Sequence, residues 1–319
     1  MPIDVSFPKD PLGWQKRFEV LGLKAKVFPG VCMRFGRIIG SILFGAILGL
    51  AGQAGAQTVR PVQVQATGVA ELADTLKIAE VIEIMRLEGV DYGAQMEEEF
   101  FAERGGAAWK SVVDLIYDGP TMQVRFQEAF AKQLAGHDAD IPAIQSFFGA
   151  DLGQRILALE IEARRSLMDE AVEDAAKAFV EDMMAEGAPR FDALQAFSDT
   201  NDLIEMNVSG ALNSNLAFFQ GLAEVDGGAP EMTQDDMLMM VWGQEPEIRA
   251  ETEGWIYPYL SLAYGPLSDA ELEAYIAFSK TGPGQVLNSA LFGAFDVVFS
   301  TISRDLGRAV AKQMMGQDI

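Results

Sequence analysis

One stretch of this chain occurs twice, and that constrains its fold more than any other feature. Asp138-Ala139-Asp140-Ile141-Pro142-Ala143-Ile144-Gln145-Ser146-Phe147 lines up without gaps on Asp269-Ala270-Glu271-Leu272-Glu273-Ala274-Tyr275-Ile276-Ala277-Phe278. The register continues to Gly153-Gln154 against Gly284-Gln285 and to Ala163 against Ala294. Six identities fall between Asp138 and Leu157, where average composition gives about one. Such a copy predicts two examples of one supersecondary unit that bury their apolar faces against each other.

Local chemistry gives each copy its shape. Ser268-Asp269-Ala270-Glu271 reads as a capping box, with hydroxyl and carboxylate each bonding the other residue's amide. The helix it starts carries Leu272, Tyr275, Ile276 and Ser279 on one face. Thr281-Gly282-Pro283-Gly284 stops it, and Pro283 opens the next helix, where its missing amide hydrogen costs nothing. Val286, Leu287, Leu291, Ala294 and Val298 then form an apolar stripe. In the first copy Gly149 and Gly153 mark the break, and Ile156, Leu159, Ala163 and Leu167 form the stripe. Further helices are expected over Leu72–Met85 and Met122–Leu134 from their three- and four-residue spacing. No segment sustains two-residue alternation, so the predicted class is all-α: a helical bundle of two repeated helix-turn-helix units plus a connecting helical pair.

The N-terminal region predicts export. Met33-Arg34-Phe35-Gly36-Arg37 is a basic start, Ile38 to Leu50 is apolar, and Ala54-Gly55-Ala56 is the small-x-small pattern of a signal-peptidase site, with Ala54 and Ala56 as its recognition residues. Residues 1–56 are therefore read as an upstream extension and a leader cleaved after Ala56. An uncleaved leader would be the one route to a membrane, and five glycines and Gln53 weaken that span. Residues 57–187 form the N-terminal unit, 188–225 the connecting helices and 226–319 the C-terminal unit, with breaks at Pro189 and Asp226-Gly227-Gly228-Ala229-Pro230. Residues 1–56 hold seven Lys or Arg and three Asp or Glu, which leaves 17 basic and 44 acidic residues, a net charge near −27. Charge of that sign repels nucleic acid and anionic lipid. The one cysteine, Cys32, precedes Met33, so the exported chain has no disulfide, thiolate metal site or cysteine nucleophile.

Candidate chemistry is sparse. His137 is the only histidine; it aligns with the capping residue Ser268, so a turn or helix-start role is preferred to that of a general base. Met237, Met239 and Met240 could offer thioethers to copper(I), but methionine is ordinary core filler. Asp199-Thr200-Asn201-Asp202 lacks the glycine and distal glutamate of a calcium loop. Glu251, Glu253, Trp255, Tyr257 and Tyr259 form an acidic and aromatic cluster that a glycan-cleaving site could use. Anchoring of an amphipathic helix explains it as well. The connector is the leading candidate: Glu205, Asn207, Asn213, Asn215 and Gln220 stand among apolar residues, and buried amides must find partners. They either line a ligand site or fix how the units dock.

The Leu267-Ser268-Asp269-Ala270-Glu271-Leu272 start, Phe278, the Gly282-Pro283-Gly284-Gln285 turn and the long helix after it resemble the DUF2059 family of secreted bacterial proteins. The likeness is to its alphaproteobacterial, duplicated form, whose Asn-rich middle resembles Leu203–Asn207 and Asn213–Phe218. Pro142 and Leu152 of the first copy depart from the pattern, where the second has Glu273 and Pro283. The resemblance implies a helical periplasmic protein and carries no catalytic residues. The expected function is a non-catalytic envelope protein that binds a partner protein or small ligand between its two units, without cofactor or metal. Glu205, Asn207, Asn213, Asn215, Trp255 and Tyr259 are its candidate binding residues. A cell-wall glycan hydrolase using Glu251 or Glu253, or a metal-ion binder, is the alternative.

Overall fold

A computed structural model describes residues 62–101, 105–225 and 232–316, and these are helical almost throughout, with no strand among them. The leader, its Ala54 and Ala56, and the Asp226–Pro230 break lie outside the described residues. The helices are α1 (Val62–Thr75), α2 (Ile78–Met96, running on into a π-helical turn, Glu97–Phe101), α3 (Gly106–Ile116), α4 (Gly119–Gln133), α5 (Ile141–Phe148) and α6 (Asp151–Ser166). There follow α7 (Glu170–Glu186), α8 (Pro189–Thr200), α9 (Leu203–Ala223), α10 (Gln234–Trp242), α11 (Glu245–Tyr264), α12 (Asp269–Ser279) and α13 (Gly282–Met314).

Their ends are set by short-range chemistry. Asp118 accepts the Thr121 amide at 2.9 Å and starts α4, with Pro120 in its first turn. Reciprocal capping boxes open α10 (Thr233 with Asp236) and α12 (Ser268 with Glu271), which satisfies amides that have no partner inside the helix. Thr281 accepts the Gly284 amide at 3.1 Å and starts α13 beside Pro283. Gly187, at φ 62°, closes α7 in the left-handed conformation, and Pro189 begins α8 two residues on.

The second copy's expected faces are the observed ones. Leu272, Tyr275, Ile276 and Ser279 are the buried residues of α12, and Leu287, Leu291, Ala294 and Val298 are buried along α13. In α6 Ile156, Ala163 and the following Leu167 are buried. Several details recur at equivalent places. A methyl group on Gly153 would overlap the Phe147 carbonyl oxygen, and one on Gly284 would overlap that of Phe278. The Gln154 amide donates to the Phe148 and Thr75 carbonyls at 2.7 and 3.0 Å; that of Gln285 donates to Ser279 and Thr200 at 2.6 and 3.4 Å. Lys77 (φ 55°) and Asp202 (φ 49°), each two residues past that threonine, are the described non-glycine residues with positive φ, and each precedes a helix. Phe147 and Phe278 stack on each other, centroids 4.0 Å apart and planes within 11°.

At 33 residues α13 is the axle of the bundle, about 50 Å long at the α-helical rise. It packs along α9 over most of that helix and also against α4, while α11 packs on α6 and α7. Phe126 of α4 meets Phe295 of α13 at 4.5 Å. Among the described residues α13 alone is long and apolar enough to cross a bilayer, and 61% of its most apolar window is buried inside the protein. Where α9 and α13 cross, their backbones touch: a methyl group on Gly307 would overlap the Phe218 carbonyl oxygen, and one on Gly221 that of Arg304. Neither carbonyl can turn aside without breaking its own helix.

Gly307→Ala should therefore destabilise the protein by about 1–3 kcal/mol through overpacking. Gly254→Ala, at an exposed position of α11 where a methyl group meets nothing within 4 Å, should stabilise it by about 0.5–1 kcal/mol. Urea unfolding of the two variants checks the opposite signs.

Candidate functional site

The most unusual chemistry in the described residues is a carboxylic acid in the core. The α6 pattern puts Glu160 four residues after Ile156 and four before Arg164, on the buried face. Its Oε1 accepts the hydroxyls of Tyr264 at 2.9 Å and Tyr275 at 3.1 Å. Tyr264 ends α11 and Tyr275 lies within α12, so one side chain of α6 ties down both helices. Tyr259, one turn earlier on α11, feels the Glu160 charge and stacks on Trp255, centroids 5.0 Å apart. Burial pushes the Glu160 carboxyl up to about 8 against the pull of its two hydroxyl donors. Burial first, and then the carboxylate beside them, raise the three tyrosines well above the ordinary phenol value.

Arg164, 3% exposed, holds Glu88 of α2 in a two-pronged pair: Nε donates to Oε1 at 2.9 Å and Nη2 to Oε2 at 2.6 Å. Such forked, charge-assisted pairs are among the strongest polar contacts available to a side chain. From outside, two more arginines grip the corner between α11 and α12. Arg155 donates to the Pro266 carbonyl at 2.6 Å and to Glu271 at 2.5 Å. Arg190 of α8 donates to the carbonyls of Tyr264 at 2.5 Å and Leu267 at 2.8 Å, and to Asp269 at 2.8 Å. The Tyr264 carbonyl ends α11 and also accepts the Leu267 amide at 2.9 Å, while those of Pro266 and Leu267 belong to the turn that follows.

The residues singled out from sequence are scattered across the fold. Glu205 accepts both Nη atoms of Arg249, at 2.6 and 2.9 Å, on the exposed side of α9. Asn207 is buried and its amide returns to the Leu203 carbonyl at 2.7 Å. Asn213 donates to Asp296 of α13 at 3.0 Å, and Asn215 to Gln244 at 3.0 Å. Gln220 accepts from Arg304. Apart from Asn207, these amides join α9 to its neighbours. Trp255 and Tyr259 stand apart from them, and Tyr259 alone borders Glu160. His137 sits exposed in the turn before α5, its Nδ1 3.2 Å from Asp140, much as Ser268 meets Glu271. Met237 is buried and Met239 exposed, and no group of three His, Cys, Asp or Glu suited to a metal occurs among the described residues.

Glu160 escaped the sequence reading because an acidic residue on an amphipathic helix is normally solvated. The available signal was its place on the stripe. The aligned residue of the second copy is Leu291, and Arg164 follows one turn later.

An open groove of about 350 Å³ lies nearby, between α7 and α11. Val172, Ala175, Ala176 and Phe179 of α7 form its floor, Leu262 of α11 its wall, and Asp169 its rim. Phe179 is 55% exposed there.

Glu160 makes stability depend on pH with a fixed sign. Its folded-state value is raised from 4.5 to about 8, so the native protein holds a proton that the unfolded chain gives up. That contribution is full below pH 4.5 and is lost as pH rises toward 8. Relative to Glu160→Gln, the wild type should lose about 1.4 kcal/mol of unfolding free energy per pH unit across that window and level off above it. Urea titrations at a series of pH values measure this. Separately, Glu88→Gln should cost about 3 kcal/mol by stranding the Arg164 charge, and Glu88→Leu with Arg164→Met should recover most of it. No family profile matches this chain, and neither does any curated protein or solved structure.

Proposed function

We propose that this chain is an exported, non-catalytic helical protein, built from two copies of one unit, that binds a small apolar molecule where the copies are joined. The unit is larger than the hairpin visible in sequence: α1 to α6 correspond to α8 to α13, and α7 is the link. Four parallels support this. The left-handed Lys77 and Asp202 precede corresponding helices, and Gln154 and Gln285 cap corresponding threonine carbonyls. Gly153 and Gly284 press on the carbonyls of Phe147 and Phe278. Those same two phenylalanines stack on each other, as equivalent residues do where a twofold axis passes. In this reading α8 and α9 belong to the second copy and are no separate connector. Export and kinship with DUF2059 remain part of the proposal on the strength of the leader pattern and the Gly282-Pro283-Gly284-Gln285 turn.

The observation that carries a binding role is the groove between α7 and α11. Its volume lies within the range of small-molecule sites, and its lining is apolar. It sits where the link meets the second copy, as expected for a site between units. A net charge of −23, with Asp169 at the rim, favours a neutral or cationic occupant over an anionic one. Catalysis finds less support. Glycoside hydrolysis needs two carboxyl groups facing across a bond, whereas Glu251 and Glu253 stand two residues apart on α11, about 200° around the helix. Glu160 and Arg164 are bonded to partners inside the core.

The neutral fluorophore N-phenyl-1-naphthylamine should bind saturably at one site per chain. Ala175→Trp, which fills the groove from an exposed position, should weaken binding by about tenfold or more, at least 1.4 kcal/mol. Absence of saturable binding, or indifference to Ala175→Trp, refutes the site. Purified peptidoglycan should stay intact with the wild type; turnover abolished by Glu251→Gln or Glu253→Gln would establish the hydrolase reading instead.

A further inference from the structure

Six ionisable groups from four helices make up the cluster at Glu160. They are Glu160 and Arg164 of α6, Tyr259 and Tyr264 of α11, Tyr275 of α12 and, through Arg164, Glu88 of α2. We propose that this cluster is a proton-operated latch: a protonated Glu160 holds the α11–α12 corner against α6, and its ionisation frees the corner.

The two states differ in the charge that the core must hold. With the carboxyl neutral, the buried cluster carries one charge pair, Arg164 with Glu88, and it is matched. When Glu160 loses its proton to bulk water, a second carboxylate is left inside the protein with two hydroxyl donors and no cation paired to it. The cost of keeping that charge from water exceeds what the two hydroxyls return, so ionisation favours opening of the corner to solvent. The tyrosines cannot relieve the strain by ionising, since burial and the neighbouring carboxylate keep them protonated. Their hydroxyls can only donate. The outer ties do not respond in this range. Arg190 grips main-chain carbonyls. The Glu271 carboxyl is held below the usual carboxylate range by its bonds to Ser268, and further by Arg155, so it stays charged. Of these ties, Glu160 is the one that changes between neutral and mildly alkaline pH. Its aligned counterpart, Leu291, gives the opposite side of the bundle no such response.

Hydrogen exchange of the full chain, followed from pH 6 to 9 and corrected for hydroxide catalysis, tests the latch. Protection of the amides from 265 to 272 should fall by about tenfold per pH unit from pH 6 and level off near pH 8, while the α4–α13 contact stays protected. Glu160→Gln, neutral at every pH, should show no such fall. Tyr275→Phe removes a donor to the ionised form, so it should move the levelling point to higher pH, a change that mere loss of packing would not produce. A wild type without the fall, a fall retained in Glu160→Gln, or an unmoved levelling point in Tyr275→Phe overturns the proposal.

Discussion

The contact between α9 and α13 is the constraint to which the other helices conform. At Gly221 and Gly307 the two backbones meet with no side chain between them. Main chain cannot repack as a side chain can, so the crossing point and angle are fixed there. Everything that touches α13 inherits that placement. Phe126 and Phe130 of α4 are positioned by Phe295, and α12 is positioned by the turn at Gly284, where Phe278 and Ser279 press on the start of α13. An interior with so little slack feels even one added methylene.

Against that apolar axle, the Glu160 cluster is an anomaly that calls for a physical account. A buried ionised carboxylate is costly, and an apolar residue of like volume would serve stability as well or better. Leu291, which aligns with it in sequence, is apolar. What the acid adds is directionality. Its two tyrosines come from helices that meet at a corner, and hydrogen bonds fix their relative angle more tightly than apolar contact does. Arg155 and Arg190 hold the same corner from outside. The acid therefore specifies one geometry at the corner between α11 and α12.

Much of the fold was legible because the relevant forces act over three or four residues. Ser268 with Glu271 and Thr281 with Gly284 are caps that sequence states directly, and the buried face of α12 follows from its spacing. The Phe147–Phe278 identity marked the register, although nothing in the sequence said that the two rings would touch. What stayed hidden depends on distant partners. Lys77 and Asp202 carry no sequence sign of a left-handed backbone, so the turns before α2 and α9 could not be read in advance. The amides of Asn207, Asn213 and Asn215 pointed to a polar network. Their actual partners are a carbonyl of α9 itself, Asp296 and Gln244, spread over separate contacts. Glu160 was passed over because helical periodicity locates a face and cannot reveal that the face of an acidic residue is the buried one.

The latch and the groove share one helical turn, which gives the two proposals a physical connection. Leu262 walls the groove, and Tyr264, two residues on, bonds Glu160. Arg190 fixes the carbonyl of that same tyrosine, so the last turn of α11 moves as a piece or not at all. A molecule seated against Leu262 in the shut state would favour the protonated carboxyl. By linkage, protonation would favour that molecule by the same factor. The coupling needs no pathway through the core, because the groove wall and the proton-dependent bond belong to adjacent side chains of one rigid element.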